Sequence, residues 1–137
     1  MSTTEQTRAA IVAYINALQT GDIEQCRAAF TPDGTWTLIG NLPTSRTWTG
    51  PDEIFDGFLA QMTRRFDPAV PMTLEVHTVL ADGDRATAEW TTRATTVSGA
   101  EYVNTVVILF RVSDGKIATA REYFDTAYAD RILFADN

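Results

Sequence analysis

Glu122 stands in a run, Lys116-Ile-Ala-Thr-Ala-Arg-Glu-Tyr-Phe124, in which side-chain character alternates. As a strand, this run puts Ala118, Ala120, Glu122 and Phe124 on one face and Ile117, Thr119, Arg121 and Tyr123 on the other. Two alanines beside a carboxylate leave space above the sheet, as a ligand needs. A carboxyl group in apolar surroundings resists ionisation because its charged form loses water, so it can serve as a general acid or base near neutral pH. The alternatives are a Glu buried against Arg93, or one that faces water. Tyr14 lies between Ile11 and Leu18 on the apolar side of a helical pattern. Its hydroxyl must find a partner either in the protein or on a ligand. The chemistry open to this pair is proton transfer next to a carbonyl, with a hydroxyl donor on the carbonyl oxygen.

Tyr102 and Asn104, two apart on another alternating run, point the same way and add a phenol and an amide. Asn is disfavoured in mid-strand, so its amide has polar work to do, either contact with a ligand or a bond to a neighbouring loop. Trp90 and Thr92 share a face with Ala86 and Ala88, opposite Thr87, Glu89, Thr91 and Arg93. Trp36, Trp48, Phe55, Phe58, Leu59 and Met62 are further wall candidates. The substrate-binding set is therefore Trp36, Phe55, Phe58, Trp90, Thr92, Tyr102, Asn104 and Phe124. His77 is the only histidine, and its alternation partners Glu75 and Val79 make a mixed face. That favours an outer-sheet or dimer position, with His77 third in line for catalysis after Glu122 and Tyr14.

Other chemistries lack their residues. One His and one Cys cannot build the usual zinc sites, so no metal is expected. There is no G-x-S-x-G elbow for Ser-His-Asp hydrolysis and no Gly-rich phosphate loop. The expectation is chemistry without a cofactor. A formal charge of −7 opposes nucleic acid and anionic membranes, since phosphate binding needs clustered Lys and Arg. No apolar run approaches the roughly 20 residues of a membrane span, and Met1-Ser-Thr-Thr-Glu5 is no signal peptide. The lone Cys26 excludes an internal disulfide and fits a reducing cytoplasm, its expected role being a small core residue.

The elements that must position these groups follow from periodicity. A length of 137 residues with 45% hydrophobic content suits one domain, residues 1–137, with its own core. Thr3 and Gln6 resemble a capping box before a first helix that Gly21 ends. Asp22 caps a short second helix carrying Ile23, Cys26 and Phe30 on one face. Thr35 to Ile39 reads as a strand, with Arg46 to Thr49 pairing back. Gly50-Pro51 opens a third helix with an apolar stripe from Ile54 to Phe66, closed by Asp67-Pro68. Four strands follow, at Met72–Leu80, Arg85–Val97, Glu101–Val112 and Lys116–Phe124. Asp-Gly and Ser-Gly turns link them too tightly for parallel crossovers, which forces an antiparallel meander. Three N-terminal helices and then a meander make an α+β domain, with the helices covering one sheet face.

Several phrases carry a family likeness: Tyr14-Ile-Asn-Ala-Leu-Gln-Thr-Gly-Asp22, Phe30-Thr-Pro-Asp-Gly-Thr-Trp36, Trp48-Thr-Gly-Pro51, Ala81-Asp-Gly-Asp-Arg85, Ser113-Asp-Gly-Lys-Ile117 and Glu122-Tyr-Phe-Asp125. They resemble the cone-shaped nuclear transport factor 2-like fold. Within it they resemble the SnoaL-like branch, which includes polyketide cyclases and is related to ketosteroid isomerases and limonene-epoxide hydrolases. The resemblance implies helices packed on a strongly curved antiparallel sheet. It implies a deep apolar pocket between the first helix, the third helix and the sheet, and a homodimer through the outer face. Tyr14 falls where the ketosteroid isomerases carry the tyrosine that hydrogen-bonds the substrate oxygen. Their catalytic base falls near Leu38, which cannot take a proton, and their second oxyanion donor falls among Val106 to Ile108. The steroid isomerase mechanism is thus not carried over. The epoxide hydrolases need an Arg and an Asp where this chain has Trp90 and Thr92, and only Glu122 keeps their third position acidic.

Three functions stay open on these grounds. One is a cofactor-independent enzyme for a small, largely apolar carbonyl compound, by isomerisation, cyclisation or dehydration. The others are a binding protein in which the same groups only orient a ligand, and a dimerisation module.

Overall fold

A computed structural model describes residues 2–134. Its first helix, α1 (Thr3–Thr20), is capped by Ser2, whose hydroxyl accepts the Glu5 amide while the Glu5 carboxylate accepts the Ser2 amide. The box therefore lies one residue before the expected Thr3–Gln6 pair, and its carboxylate also meets the positive end of the helix dipole. Asp22 caps α2 (Ile23–Ala28) by accepting the Gln25 amide, as the sequence suggests. The first strand, β1 (Phe30–Leu38), begins at Phe30 rather than Thr35. Phe30 already pairs with Ile117, and Thr31-Pro-Asp-Gly34 bulges out before pairing resumes. Antiparallel to it runs β2 (Thr47–Thr49).

The expected third helix is not a uniform α-helix. A π-helical segment, Asp52–Leu59, runs directly into α3 (Ala60–Thr63). It buries Ile54, Phe55 and Phe58. Gly57 lets it sit on the Trp48 indole, because a Cβ there would lie 2.9 Å from the ring.

The meander then forms from β3 (Thr73–Asp82), β4 (Arg85–Thr95), β5 (Glu101–Ser113) and β6 (Lys116–Phe124), each antiparallel to the next. The β5–β6 turn has positive φ at both Asp114 (50°) and Gly115 (78°), the hairpin geometry that matches strand twist. The six-stranded sheet has the order β2-β1-β6-β5-β4-β3, and β1 runs parallel to β6. The sheet is therefore mixed, which corrects the wholly antiparallel expectation. All the intervening chain serves as the crossover that a parallel pair requires. α1 packs across β3, β4 and β6 on the inner face, over a core that includes Ile11, Phe30, Ile108, Phe110 and Ile117.

A C-terminal element has no counterpart in the expected set. Asp125 caps α4 (Thr126–Ala129), which continues as a π-helical turn, Asp130–Phe134. Pairing of β6 with β5 ends at Phe124↔Val106, leaving the far end of β5 without a strand on that side. Tyr128 supplies it, its hydroxyl accepting from the Val103 amide at 3.1 Å and donating to the Glu101 carbonyl at 3.4 Å. This is how the segment satisfies an otherwise open edge. No helix among the described residues is long and apolar enough to cross a membrane.

Candidate active site

The inner sheet face, α1 and the π-helical segment enclose a cavity of about 230 Å³. At about 30 Å³ per water, that holds a compact molecule of one or two rings. Its floor is sheet: Trp36 from β1, Trp90 and Thr92 from β4, Tyr102, Asn104 and Val106 from β5, Glu122 and Phe124 from β6. Its roof is helical: Tyr14 and Leu18 from α1, and Ile54, Phe55, Phe58 and Leu59 from the π-helical segment. All eight predicted substrate-binding residues line it, together with Glu122 and Tyr14.

Cross-strand pairing explains why they converge. Glu122 pairs with Ile108, Phe124 with Val106, Thr92 with Asn104 and Trp90 with Val106, so these side chains share the inner face. The alternation read on β6 holds from Thr119 onward. A register shift at Arg111–Val112 pairs Ile117 with Val112 and turns Ile117 into the core.

Glu122 is half-buried, and its Oε1 accepts a hydrogen bond from Trp36 Nε1 at 3.0 Å. Burial raises its pKa from the ordinary 4.5 to about 7, partly offset by the indole bond, which favours the charged form. Its carboxylate is therefore divided between protonated and basic forms at neutral pH. The separation from Arg93 is clear: Arg93 pairs with Glu75 across the outer face at 3.7 Å.

Tyr14 is 3% exposed and wedged among Phe30, Trp36 and Phe110, with ring centroids 5.5–6.3 Å away. Its hydroxyl forms no hydrogen bond with any described residue, so its proton is free for whatever fills the cavity. Burial first, then the Cys26 and Glu122 charges, push its pKa well above 10. It is thus a neutral donor rather than a base.

Tyr102 and Asn104 divide their work in a way the sequence left open. The Asn104 amide donates to Tyr102 Oη at 3.0 Å and to the Asp125 carbonyl at 3.1 Å, while its Oδ1 accepts from the Asp125 amide at 3.4 Å. Both N–H groups are occupied, so Asn104 ties off the end of β6 and has no donor left for a ligand. Tyr102 accepts from Asn104 and donates to no described residue, which leaves its own proton available. Burial is the main cause that lifts its pKa to about 12, with the Asn104 bond opposing and the Glu122 charge adding. Tyr14 and Tyr102 are therefore two phenol donors that both sense one carboxylate.

His77 is not part of this group. β3 carries a bulge between Val76 and Thr78, so Glu75 and His77 face outward while Val79, paired with Ala88, turns in. That bulge is why the face reads as mixed. His77 Nε2 lies 2.7 Å from Thr91 Oγ1, which in turn lies 2.8 Å from Thr105 Oγ1, all on the outer face. The sheet stands between His77 and the cavity, which removes it from the catalytic candidates. Trp48 is likewise core, donating to the Thr44 carbonyl at 3.1 Å with Arg46 over its ring. Cys26 is fully buried and its thiol is pushed up to about 11 by burial, an unreactive core position.

Sequence reasoning missed the mouth, formed by Ile23, Met72, Leu74, Thr63 and Phe66. Ile23 and Met72 are 42% and 37% exposed, a degree of exposure that no periodicity in the chain signals.

A family model described as a SnoaL-like domain matches residues 11–120. No curated protein matches the chain. Among solved structures, an NTF2-like protein of unknown function from Burkholderia pseudomallei K96243 is 26% identical with a TM-score of 0.80, over 98% of this chain and 100% of that one. An LEH-like epoxide hydrolase from M. tuberculosis is 25% identical with a TM-score of 0.73, over 95% of this chain and 90% of that one. TerC, co-crystallised with polyporic acid, is 24% identical with a TM-score of 0.81, over 93% of this chain and 98% of that one. The architecture is accordingly the α+β NTF2-like fold.

Proposed function

The chain belongs to the SnoaL-like domain family, and we propose that it is a cofactor-independent acid–base enzyme acting on a small, largely apolar carbonyl compound. One observation carries this reading: a carboxylate with a pKa of about 7 shares an apolar cavity with two phenols whose protons are uncommitted. A carbonyl oxygen held by Tyr14 or Tyr102 would bring the adjacent C–H bond toward Glu122, whose charge both phenols sense. The carboxylate takes that proton, the C–H electron pair moves onto oxygen as an enolate, and the phenol donor stabilises the charge. Glu122 then returns the proton to another carbon for isomerisation. Alternatively, the enolate carbon attacks an internal carbonyl for cyclisation, and Glu122 returns its proton to the new alkoxide. For dehydration, the enolate expels a β-hydroxyl that leaves as water with the proton Glu122 holds. Donors aimed at the developing charge in a water-poor site are each worth about 10²–10³ in rate.

Hydrolysis of epoxides by the Arg–Asp–Asp triad is not supported, since Trp90 and Thr92 stand where the first two would be. The cavity walls bring apolar surface there instead.

The test needs no knowledge of the natural product. Acetophenone and cyclohexenone in deuterated water would exchange their α-protons, followed by NMR, faster with the protein than without it. Glu122→Gln keeps shape and hydrogen bonding but removes the base, and should cut the rate by about 10²–10⁴. An unchanged rate in that variant would sink the catalytic reading.

The protein pairs as a homodimer through the outer sheet face in this reading. Leu80 and Leu109 are 64% and 41% exposed and flank Thr87 in one row across β3, β4 and β5. Light scattering should return twice the 15.1 kDa chain mass; the mass of one chain at micromolar concentration would overturn the dimer.

A further inference from the structure

A second depression adjoins the cavity at its mouth. Thr63, Phe66 and Met72 line the cavity on one side and on the other line an open groove of about 500 Å³. The groove is walled by Pro68, Val70, Pro71 and Val97, with Arg64 and Asp67 at its polar rim. Val70, Met72 and Val97 are 40%, 37% and 68% exposed, a cluster of apolar surface left bare beside the entrance. Clustered exposed apolar side chains mark binding surfaces, whereas single ones need no explanation.

The groove is also built, not a chance of loose loops. Phe66 bridges to Thr96, the Asp67 amide donates to the Thr95 carbonyl at 2.8 Å, and the Val97 amide donates to the Arg65 carbonyl at 3.0 Å. These bonds lock the segment after α3 to the β4–β5 hairpin, so the two walls keep a fixed separation. A preformed groove adjoining a small cavity binds an extension with little ordering cost.

We infer that the groove holds the apolar arm of the same ligand, whose compact carbonyl end occupies the cavity. The substrate class is then an alkyl or aryl-alkyl ketone too long for the cavity alone, and not a free small ketone. This inference rests on the cavity being the ligand site, and it does not depend on Glu122 acting as a base. The cavity's 230 Å³ accommodates the head, and the shared Phe66 and Met72 guide the arm outward between the helix end and β3.

A series of phenyl alkyl ketones, from methyl to decyl, tests this by quenching of tryptophan fluorescence, since Trp36 and Trp90 line the cavity. Affinity should climb by about four-fold per methylene, the worth of a buried CH₂, and continue climbing after the cavity is full. Val97→Asp should weaken the decyl ketone at least ten-fold, and Val70→Asp likewise, with acetophenone binding unchanged. Both sites are exposed, and acetophenone binding reports that each variant is folded. An affinity that levels off at short chains, or decyl binding indifferent to both substitutions, would overturn the inference. So would failure of every member of the series to bind. Binding of the series without α-proton exchange would sink the catalytic reading and leave this one standing.

Discussion

The Trp36 indole and the Glu122 carboxylate meet across the parallel pair of β1 and β6, Nε1 donating to Oε1 over 3.0 Å. The bond and the burial pull in opposite directions: burial raises the carboxyl pKa and the indole lowers it, with a net value of about 7. Trp36→Phe keeps an aromatic wall and removes the donor. A hydrogen bond to a charged group is worth about 1.5–3 kcal/mol, and one pKa unit about 1.4, so the carboxyl pKa should rise by roughly one to two units. The pH midpoint of α-proton exchange, or of a carbon-13 carboxyl titration, should move upward by that amount. A midpoint that stays put would show that the indole does not tune the acid.

Glu122 should also leave a mark on stability. Its folded pKa, about 7, lies above the ordinary 4.5, so between these values the folded chain holds the proton more tightly than the unfolded chain. The stabilisation is complete below about pH 4.5 and declines as pH rises to 7, by roughly 3 kcal/mol in all. Glu122→Gln cannot ionise and escapes the decline. Thermal melts at a series of pH values should show the variant gaining on wild type from pH 5 to 8. A constant gap across that range would mean the carboxyl titrates normally.

The floor of the cavity was legible and its edges were not, for one physical reason. Side chains on β4, β5 and β6 alternate strictly over Trp90–Thr92, Tyr102–Val106 and Glu122–Phe124, so period two alone picks out the residues that face inward. Bulges break that count. One extra residue at Val76–Thr78 separates His77 from Val79, and a shift at Arg111–Val112 turns Ile117 inward, neither signalled by a glycine. The parallel contact of β1 with β6 joins residues far apart in the chain and has no local sequence pattern. The role of Asn104 was legible only as a choice, because its partner Asp125 begins an element that covers the β5 edge, and the need for that cover depends on where β6 stops.

Asn104 should prove structural. Replacing it with Leu removes three hydrogen bonds and strands the amide and carbonyl of Asp125 at the end of β6. Asp125 is exposed and its two bonds are part-buried, so water takes up some of the loss and a cost of roughly 1–3 kcal/mol in urea unfolding is expected. A loss under about 0.5 kcal/mol would show that water replaces the amide readily, and that Asn104 is free to serve a ligand after all.

Tyr14 should behave in the opposite sense. Its ring is packed among aromatic rings while its hydroxyl bonds to no described residue, so the folded protein gains no hydrogen bond from it. Tyr14→Phe deletes a polar group that has no protein partner while keeping the ring contacts with Phe30 and Phe110. Stability should hold or rise by up to about 1 kcal/mol, a few degrees in Tm. The same change removes a donor to the developing enolate, and the exchange rate should fall by about 10²–10³ with little change in acetophenone affinity. Opposite signs in stability and rate separate a functional hydroxyl from a structural one. If Tyr14→Phe instead lowers Tm by several degrees and leaves the rate intact, the hydroxyl serves the fold, and Tyr102 is the donor that remains.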